Sequence, residues 1–202
     1  MREEYKNRSR GNASSRGVTL LELILVCAVA LCLASIATPS FLRISYNIRL
    51  RSAASNLSGL MQNARIAAAK NNTVYTISMS TSTACAYVAA AGACDPRLPQ
   101  ISFSSTVALA GSAPSGGTGQ PSAYTLVGDT GGTTYTNGTT LGYSPRGLPC
   151  SYASSTCATP VNGYFVYYLT DTRPGGNLGW AAVVVTNTGR SKVVAWNGGS
   201  WD

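Results

Sequence analysis

Residues Val18 to Thr38 form an apolar run of about 21 residues that carries a single charge, Glu22. Wound as an α-helix it reaches about 31 Å, the thickness of a bilayer's hydrocarbon core. Ahead of it, Arg2, Lys6, Arg8, Arg10 and Arg16 outnumber Glu3 and Glu4. Positive flanks stay cytoplasmic, so the C-terminal part is expected across the membrane. A cleavable secretory signal is the competing reading, with Ala34-Ser35-Ile36-Ala37 as its cleavage site. The run is longer than the roughly 7–15 apolar residues of such signals. It also holds an acid almost at its start. An ionised Glu in a membrane helix costs about 2.5–3.5 kcal/mol at mid-bilayer and less near the edge, which marks Glu22 as a functional residue.

Past the run, Leu50, Ala53, Ala54, Leu57, Leu60, Met61, Ala64 and Ala68 recur at the spacing of one helix face. Ser52, Asn56, Gln62, Asn63 and Lys70 fall largely on other faces. The pattern predicts one long helix from about Val18 to Ala69, ended by Asn71-Asn72. Pro39 lacks a backbone N–H, so a kink or local melting is expected between Ser35 and Pro39. Arg43, Arg49, Arg51, Arg65 and Lys70 meet no acid in this stretch. They suit a solvated face near phospholipid head groups, or contacts between subunits.

From Thr73 the period changes to two, and Val74 to Met79 reads as a strand. Further strands are expected at Cys85–Ala89, Ile101–Phe103, Thr106–Ala110, Ala123–Val127, Thr139–Tyr143, Gly163–Leu169 and Trp180–Thr186. Asn187-Thr188-Gly189 turns the chain into a last strand, Lys192–Trp196. Gly111 to Gly138, rich in Gly, Ser and Thr, reads as long loops. The expected class is α+β. A long N-terminal helix, half transmembrane and half amphipathic, packs on a C-terminal antiparallel β-sheet head. The boundaries are a leader over 1–17, the helix over 18–70 and the head over 71–202.

The chain has no His among its 202 residues, so Ser-His and Cys-His nucleophile pairs and His-ligated zinc are excluded. Its seven carboxylates are scattered after Glu4, which disfavours paired-carboxylate hydrolysis and a calcium loop. No enzymatic activity, cofactor or metal is expected. Cys27 and Cys32 lie in the apolar run, five residues apart, and read as small apolar residues. Cys85 and Cys94, then Cys150 and Cys157, lie in the exported head, where an oxidising compartment predicts two local disulfides. Sequence alone leaves the pairing open, and a metal site built from these four is the alternative.

Arg16-Gly17-Val18-Thr19-Leu20-Leu21-Glu22-Leu23 resembles the class III signal of type IV prepilins and type II secretion pseudopilins. The resemblance implies a dedicated prepilin peptidase that cuts between Gly17 and Val18 on the cytoplasmic side and N-methylates Val18. Glu22 is then the fifth residue of the mature chain, where the family keeps its Glu. Pro39 stands where the family helix has its first Pro. Val18 departs from the family's usual Phe, and the leader is longer than in many pilins. The resemblance further implies the pilin fold, and a Glu22 that meets the α-amine of a neighbouring subunit.

Arg49 and Arg51 with Ser52-Ala53-Ala54 and Leu57 narrow the likeness to the GspH/FimT group of minor pilins and pseudopilins, as does the run Asn63 to Asn72. Tyr143-Ser144-Pro145-Arg146-Gly147 and Gly189-Arg190-Ser191-Lys192-Val193-Val194 resemble segments of that group's head. The likeness thus covers the first 70 residues and short C-terminal pieces. It implies a minor pilin of a type IV pilus that primes assembly, adhesion, motility or DNA uptake. The alternative is a type II secretion minor pseudopilin. The partners would be the prepilin peptidase, other pilins or pseudopilins and the inner membrane, with the head in the periplasm and then in the filament. The Gly-Arg-Ser-Lys turn resembles the basic element through which some FimT-type pilins bind DNA, which makes Arg190 and Lys192 candidate contacts. Lys192 stands where the second Arg would, and it lacks the bidentate fork. Such binding would be non-specific and salt-sensitive.

Overall fold

The computed structural model describes residues 19–110, 133–135, 140–158, 163–172, 179–196 and 201, without the side chains of residues 37–40, 42, 43 and 133–135. The leader, the Gly17–Val18 bond and the expected strand at Ala123–Val127 lie outside the described residues. The chain divides into two compact units, Met1–Leu42 and Arg43–Asp202.

Helix α1 runs from Leu20 to Asn71. In the first unit Thr19 caps it. Its Oγ1 accepts the Glu22 N–H at 3.2 Å and its carbonyl accepts the Leu23 N–H at 3.1 Å. Glu22 occupies the third helical position, so Thr19 to Glu22 has the sequence of a capping box. Every residue from Thr19 to Ile36 is exposed, and the leucines, isoleucines and valines of this stretch are 52–75 % exposed. The helix is therefore apolar on all sides here. Among the described residues no helical stretch is long and apolar enough to cross a membrane. The apolar stretch with described side chains ends at Ile36, short of the Thr38 limit of the expected span. Helical structure continues through Pro39, which corrects the expectation of local melting there. One missing N–H removes one rung and leaves the neighbouring i→i−4 bonds in place.

In the second unit the helix buries one face. Leu50, Ala53, Ala54, Leu57, Leu60, Met61, Ala64 and Ala68, the residues picked out by periodicity, are all buried. They pack with the inner faces of two sheets. The first sheet contains β1 (Tyr75–Met79), β2 (Thr83–Val88), β3 (Ile101–Ser102), β6 (Leu141–Tyr143), β7 (Pro149–Ala153) and β8 (Thr156–Ala158) in the order β3-β2-β1-β6-β7-β8. The second has the order β11-β10-β9-β4, from β4 (Val107–Ala110), β9 (Gly163–Asp171), β10 (Trp180–Val185) and β11 (Ser191–Trp196). Along these paths all neighbours are antiparallel. β5 (Thr133–Tyr135) adds to β9 in parallel, inside a stretch that reads as loop in the sequence. The chain is thus α+β, a helix packed on mainly antiparallel sheets.

β9 and β10 are buried on both faces, which explains their near-continuous apolar sequence. Phe165, Tyr167 and Leu169 with Ala181, Val183 and Val185 join the core under the helix. Tyr164, Val166 and Tyr168 with Ala182, Val184 and Val194 form a second cluster on the opposite face. Trp201 belongs to that cluster and forms a bridge with Trp196; its ring lies 5.8 Å from Tyr168.

Candidate functional site

Both expected disulfides are present, Cys85–Cys94 with Cα atoms 5.7 Å apart and Cys150–Cys157 with 5.3 Å. The second joins β7 to β8, a hairpin the sequence reading missed. Opposite Cys150 stands Gly142, where an added Cβ would lie 2.8 Å from the Cys150 sulfur, so the bridge requires a residue without a side chain. Cys27 and Cys32 are free and exposed.

Two segments of the head, Tyr143–Gly147 and Gly189–Val194, converge on one helix side chain. Arg65, on the helix, donates from Nε to the Gly147 carbonyl at 2.9 Å and from a terminal nitrogen to the Gly189 carbonyl at 3.1 Å. Gly147 lies in the turn between β6 and β7 of the first sheet, and Gly189 in the turn between β10 and β11 of the second. Both glycines have positive φ, 73° and 81°, a region costly for other residues. The turns also touch, since a Cβ on Gly189 would meet the Gly147 carbonyl oxygen at 3.3 Å and the Arg65 guanidinium at 3.1 Å. One turn further back on the helix, Gln62 donates to Ser191 Oγ at 2.7 Å, and Ser58 shares a 2.7 Å bond with that same oxygen. Helix side chains thus tie both sheets together at their turns. The sequence signal was a long arginine and glutamine between buried alanines. It was visible as a departure from the apolar stripe but not readable as a tie.

Arg190 is exposed on the Gly189 turn, and its N–H donates to Thr186 Oγ1 at 3.2 Å. Lys192 is exposed on β11 opposite Val184, two residues from Val194 of the second cluster. Arg146 is exposed on the neighbouring turn, one residue before Gly147. The structure therefore brings a third cation, from the other sheet, to the turns that carry Arg190 and Lys192. Contact between Gly147 and Gly189 is what joins them, and sequence separation concealed it.

At the C-terminal end of the helix, Asn71 Nδ2 donates to Tyr75 Oη at 2.9 Å and Tyr75 Oη donates to Asp95 Oδ2 at 2.7 Å. Asp95 Oδ1 accepts the Arg97 N–H at 2.9 Å. That backbone bond, then the Tyr75 bond, holds the Asp95 carboxyl below its ordinary value. Burial, then the bond to Asp95, raises the Tyr75 phenol. In the core, burial raises Tyr143 against the pull of the Arg65 charge, and burial also raises Tyr167.

Of the remaining sequence candidates, Gly17 and Val18 lie outside the described residues, Glu22 sits in the first turn of the capped helix, and the Pro39 backbone is helical. Comparison with family models, curated proteins and solved structures finds no match for the chain.

Proposed function

We propose that this chain is a type IV pilin-like subunit, processed between Gly17 and Val18, anchored by its helix in the inner membrane and then packed into a filament. The observation that carries the reading is the change of character along one helix. Its N-terminal stretch is apolar on every side with a single acid in the first turn, while its C-terminal stretch buries only one face in a disulfide-closed β head. A helix apolar all round needs lipid or other apolar helices about it. Hydrolysis of the Gly17–Val18 bond would leave a carboxylate on Gly17 and an ammonium on Val18, about one turn from Glu22. Two charges in an apolar setting offset their desolvation only when paired, so pairing between subunits selects a single register.

A minor pilin of a type IV pilus is the first form of this reading and a type II secretion minor pseudopilin the second. The long Gly/Ser/Thr-rich stretch read in the sequence and the two disulfides favour the surface fibre. The cations at the two touching turns support a DNA contact through Arg190 and Lys192 as a separate part of the proposal.

The test is N-terminal sequencing of the exported protein together with Glu22→Ala. The chain should begin at Val18, and the variant should reach the membrane at normal level yet be missing from sheared surface fibres. A different start, or normal incorporation of the variant, sinks the proposal.

A further inference from the structure

The exposed side of α1 within the Arg43–Asp202 unit is bordered by the segment 94–102, and the two enclose three hollows in a row. The first, about 390 Å³, lies between Asn56, Gly59 and Asn63 on the helix and Gln100 and Ser102 across from them. The second, about 250 Å³, continues from Asn63 past Ile66 and Lys70 to Arg97. The third, about 500 Å³, shares Asn71, Tyr75, Asp95 and Arg97 with the second. Shared lining residues make this one continuous groove.

Four observations bear on what the groove accepts. Asn56 and Asn63 are exposed, and neither has a hydrogen-bond partner among the described residues. They stand seven residues apart and Lys70 seven further, so polar side chains repeat along the groove about every 10.5 Å. Amides both donate and accept, which suits hydroxyl-rich ligands. The charge is placed around the second hollow and its junction with the third, and none lines the first. Both oxygens of Asp95 accept bonds from inside the protein, while Lys70 and Arg97 are exposed beside them. Finally, Gly59 sits in the middle of a helix, where glycine costs about 1 kcal/mol against alanine. A Cβ there would meet nothing within 4 Å. No internal packing demands the glycine, and its missing side chain keeps the first hollow open.

We propose that this groove binds an acidic oligosaccharide, with its sugar hydroxyls on the Asn56–Asn63 amides and its carboxylate on Arg97 and Lys70. Guanidinium and carboxylate pair in a planar, bidentate way, which fixes the acidic sugar where the second and third hollows meet. A nucleic acid would call for cations along the whole length, and the first hollow has none. An extended peptide would call for a sheet edge to pair with, and β3 offers only two residues. The groove lies within the Arg43–Asp202 unit, and the inference does not rest on the proposed function.

The experiment titrates the full chain in mild detergent with xylo-oligosaccharides of increasing length that each carry one glucuronate, followed by calorimetry and saturation-transfer NMR. Binding should be saturable, with a dissociation constant on the order of 10⁻⁵ to 10⁻³ M, and should tighten with length as more hollows fill. Arg97→Ala should weaken it about tenfold, in keeping with loss of one charge-assisted pair. Gly59→Met should abolish filling of the first hollow without lowering the thermal midpoint, since it improves helix propensity. Arg51 is exposed on the helix outside the three hollows, and Arg51→Ala should leave glycan binding unchanged. The proposal is overturned by absence of saturable binding, or by binding that both groove variants leave intact. It is equally overturned if a hexaglutamate peptide binds as tightly as the glycan, or if Gly59→Met alters the oligomeric state and not glycan binding.

Discussion

Replacing Arg65 by Ala tests whether the two sheets are held at their turns by one side chain. Arg65 is half-buried and donates charge-assisted bonds of 2.9 and 3.1 Å to the carbonyls of Gly147 and Gly189. Each such bond contributes about 1.5–3 kcal/mol when dry and less near water, so the pair is worth about 2–3 kcal/mol. Loss leaves the Gly189 carbonyl with a 3.4 Å contact from Gln62. For a unit of this size each kcal/mol moves the midpoint by about 2–4 °C, so Arg65→Ala should lower Tm by about 5–10 °C. Arg65→Lys should recover less than half, because one ammonium cannot reproduce the fork that spans both carbonyls. The assay is thermal unfolding of the full chain in mild detergent, followed by near-ultraviolet circular dichroism. A second arm uses Gly189→Ala, whose cost combines a positive φ with a Cβ placed 3.1 Å from Arg65 Cζ. In the Arg65→Ala background the crowding against the guanidinium vanishes, while the backbone cost and the 3.3 Å approach to the Gly147 carbonyl stay, so the two changes should be less than additive. Arg65→Ala within about 1 °C of the parent, or strict additivity with Gly189→Ala, refutes the tie.

Double substitution of Arg190 and Lys192 by Ala should abolish retardation of DNA in a gel at low salt; no retardation by the parent, or retardation unchanged by the substitutions, removes the DNA contact. Burial raises the phenols of Tyr75, Tyr143 and Tyr167 above the ordinary value of 10.0. The folded chain therefore holds these protons more tightly than the unfolded one, so their contribution is whole below pH 10 and is lost as the pH climbs through the folded values. Ultraviolet difference titration should show Tyr143 and Tyr167 ionising together with alkaline unfolding, and ionisation of all eleven tyrosines of the chain near pH 10 with the fold intact would contradict this.

The parts of the fold that the sequence displays are those with a strong period. The helix face from Leu50 to Ala68 is regular at 3.6 residues, and each member is buried. β9 and β10 stood out because β-branched and aromatic residues fill both of their faces. The β7–β8 hairpin did not, for identifiable reasons. It begins on Pro149, tolerable at a strand's first residue, and it turns through Ser154 and Ser155 at positive φ without glycine. Its pairing is held by a disulfide, whose cysteines carry no strand signal. The Arg65 tie was hidden for a different reason. Arg65 is separated from its two partners by 82 and 124 residues, and only the folded chain brings Gly147 and Gly189 into contact.

The filament test must separate the proposed pairing of Glu22 between subunits from its place in its own helix cap. Thr19 caps the helix through the Glu22 N–H, and a glutamate at the third helical position completes such a cap and favours the positive end of the macrodipole. An alanine there removes the cap partner and the charge together, so a defect in assembly could come from a frayed helix. Glutamine keeps the cap, since it serves the same box, and removes only the charge. If the charge meets a neighbouring α-ammonium, Glu22→Gln must fail to assemble as fully as Glu22→Ala, because either change leaves a cation buried and unpaired at a cost of several kcal/mol. Assembly by the glutamine variant and not by the alanine one would assign Glu22 to its own helix and remove pairing between subunits from the mechanism.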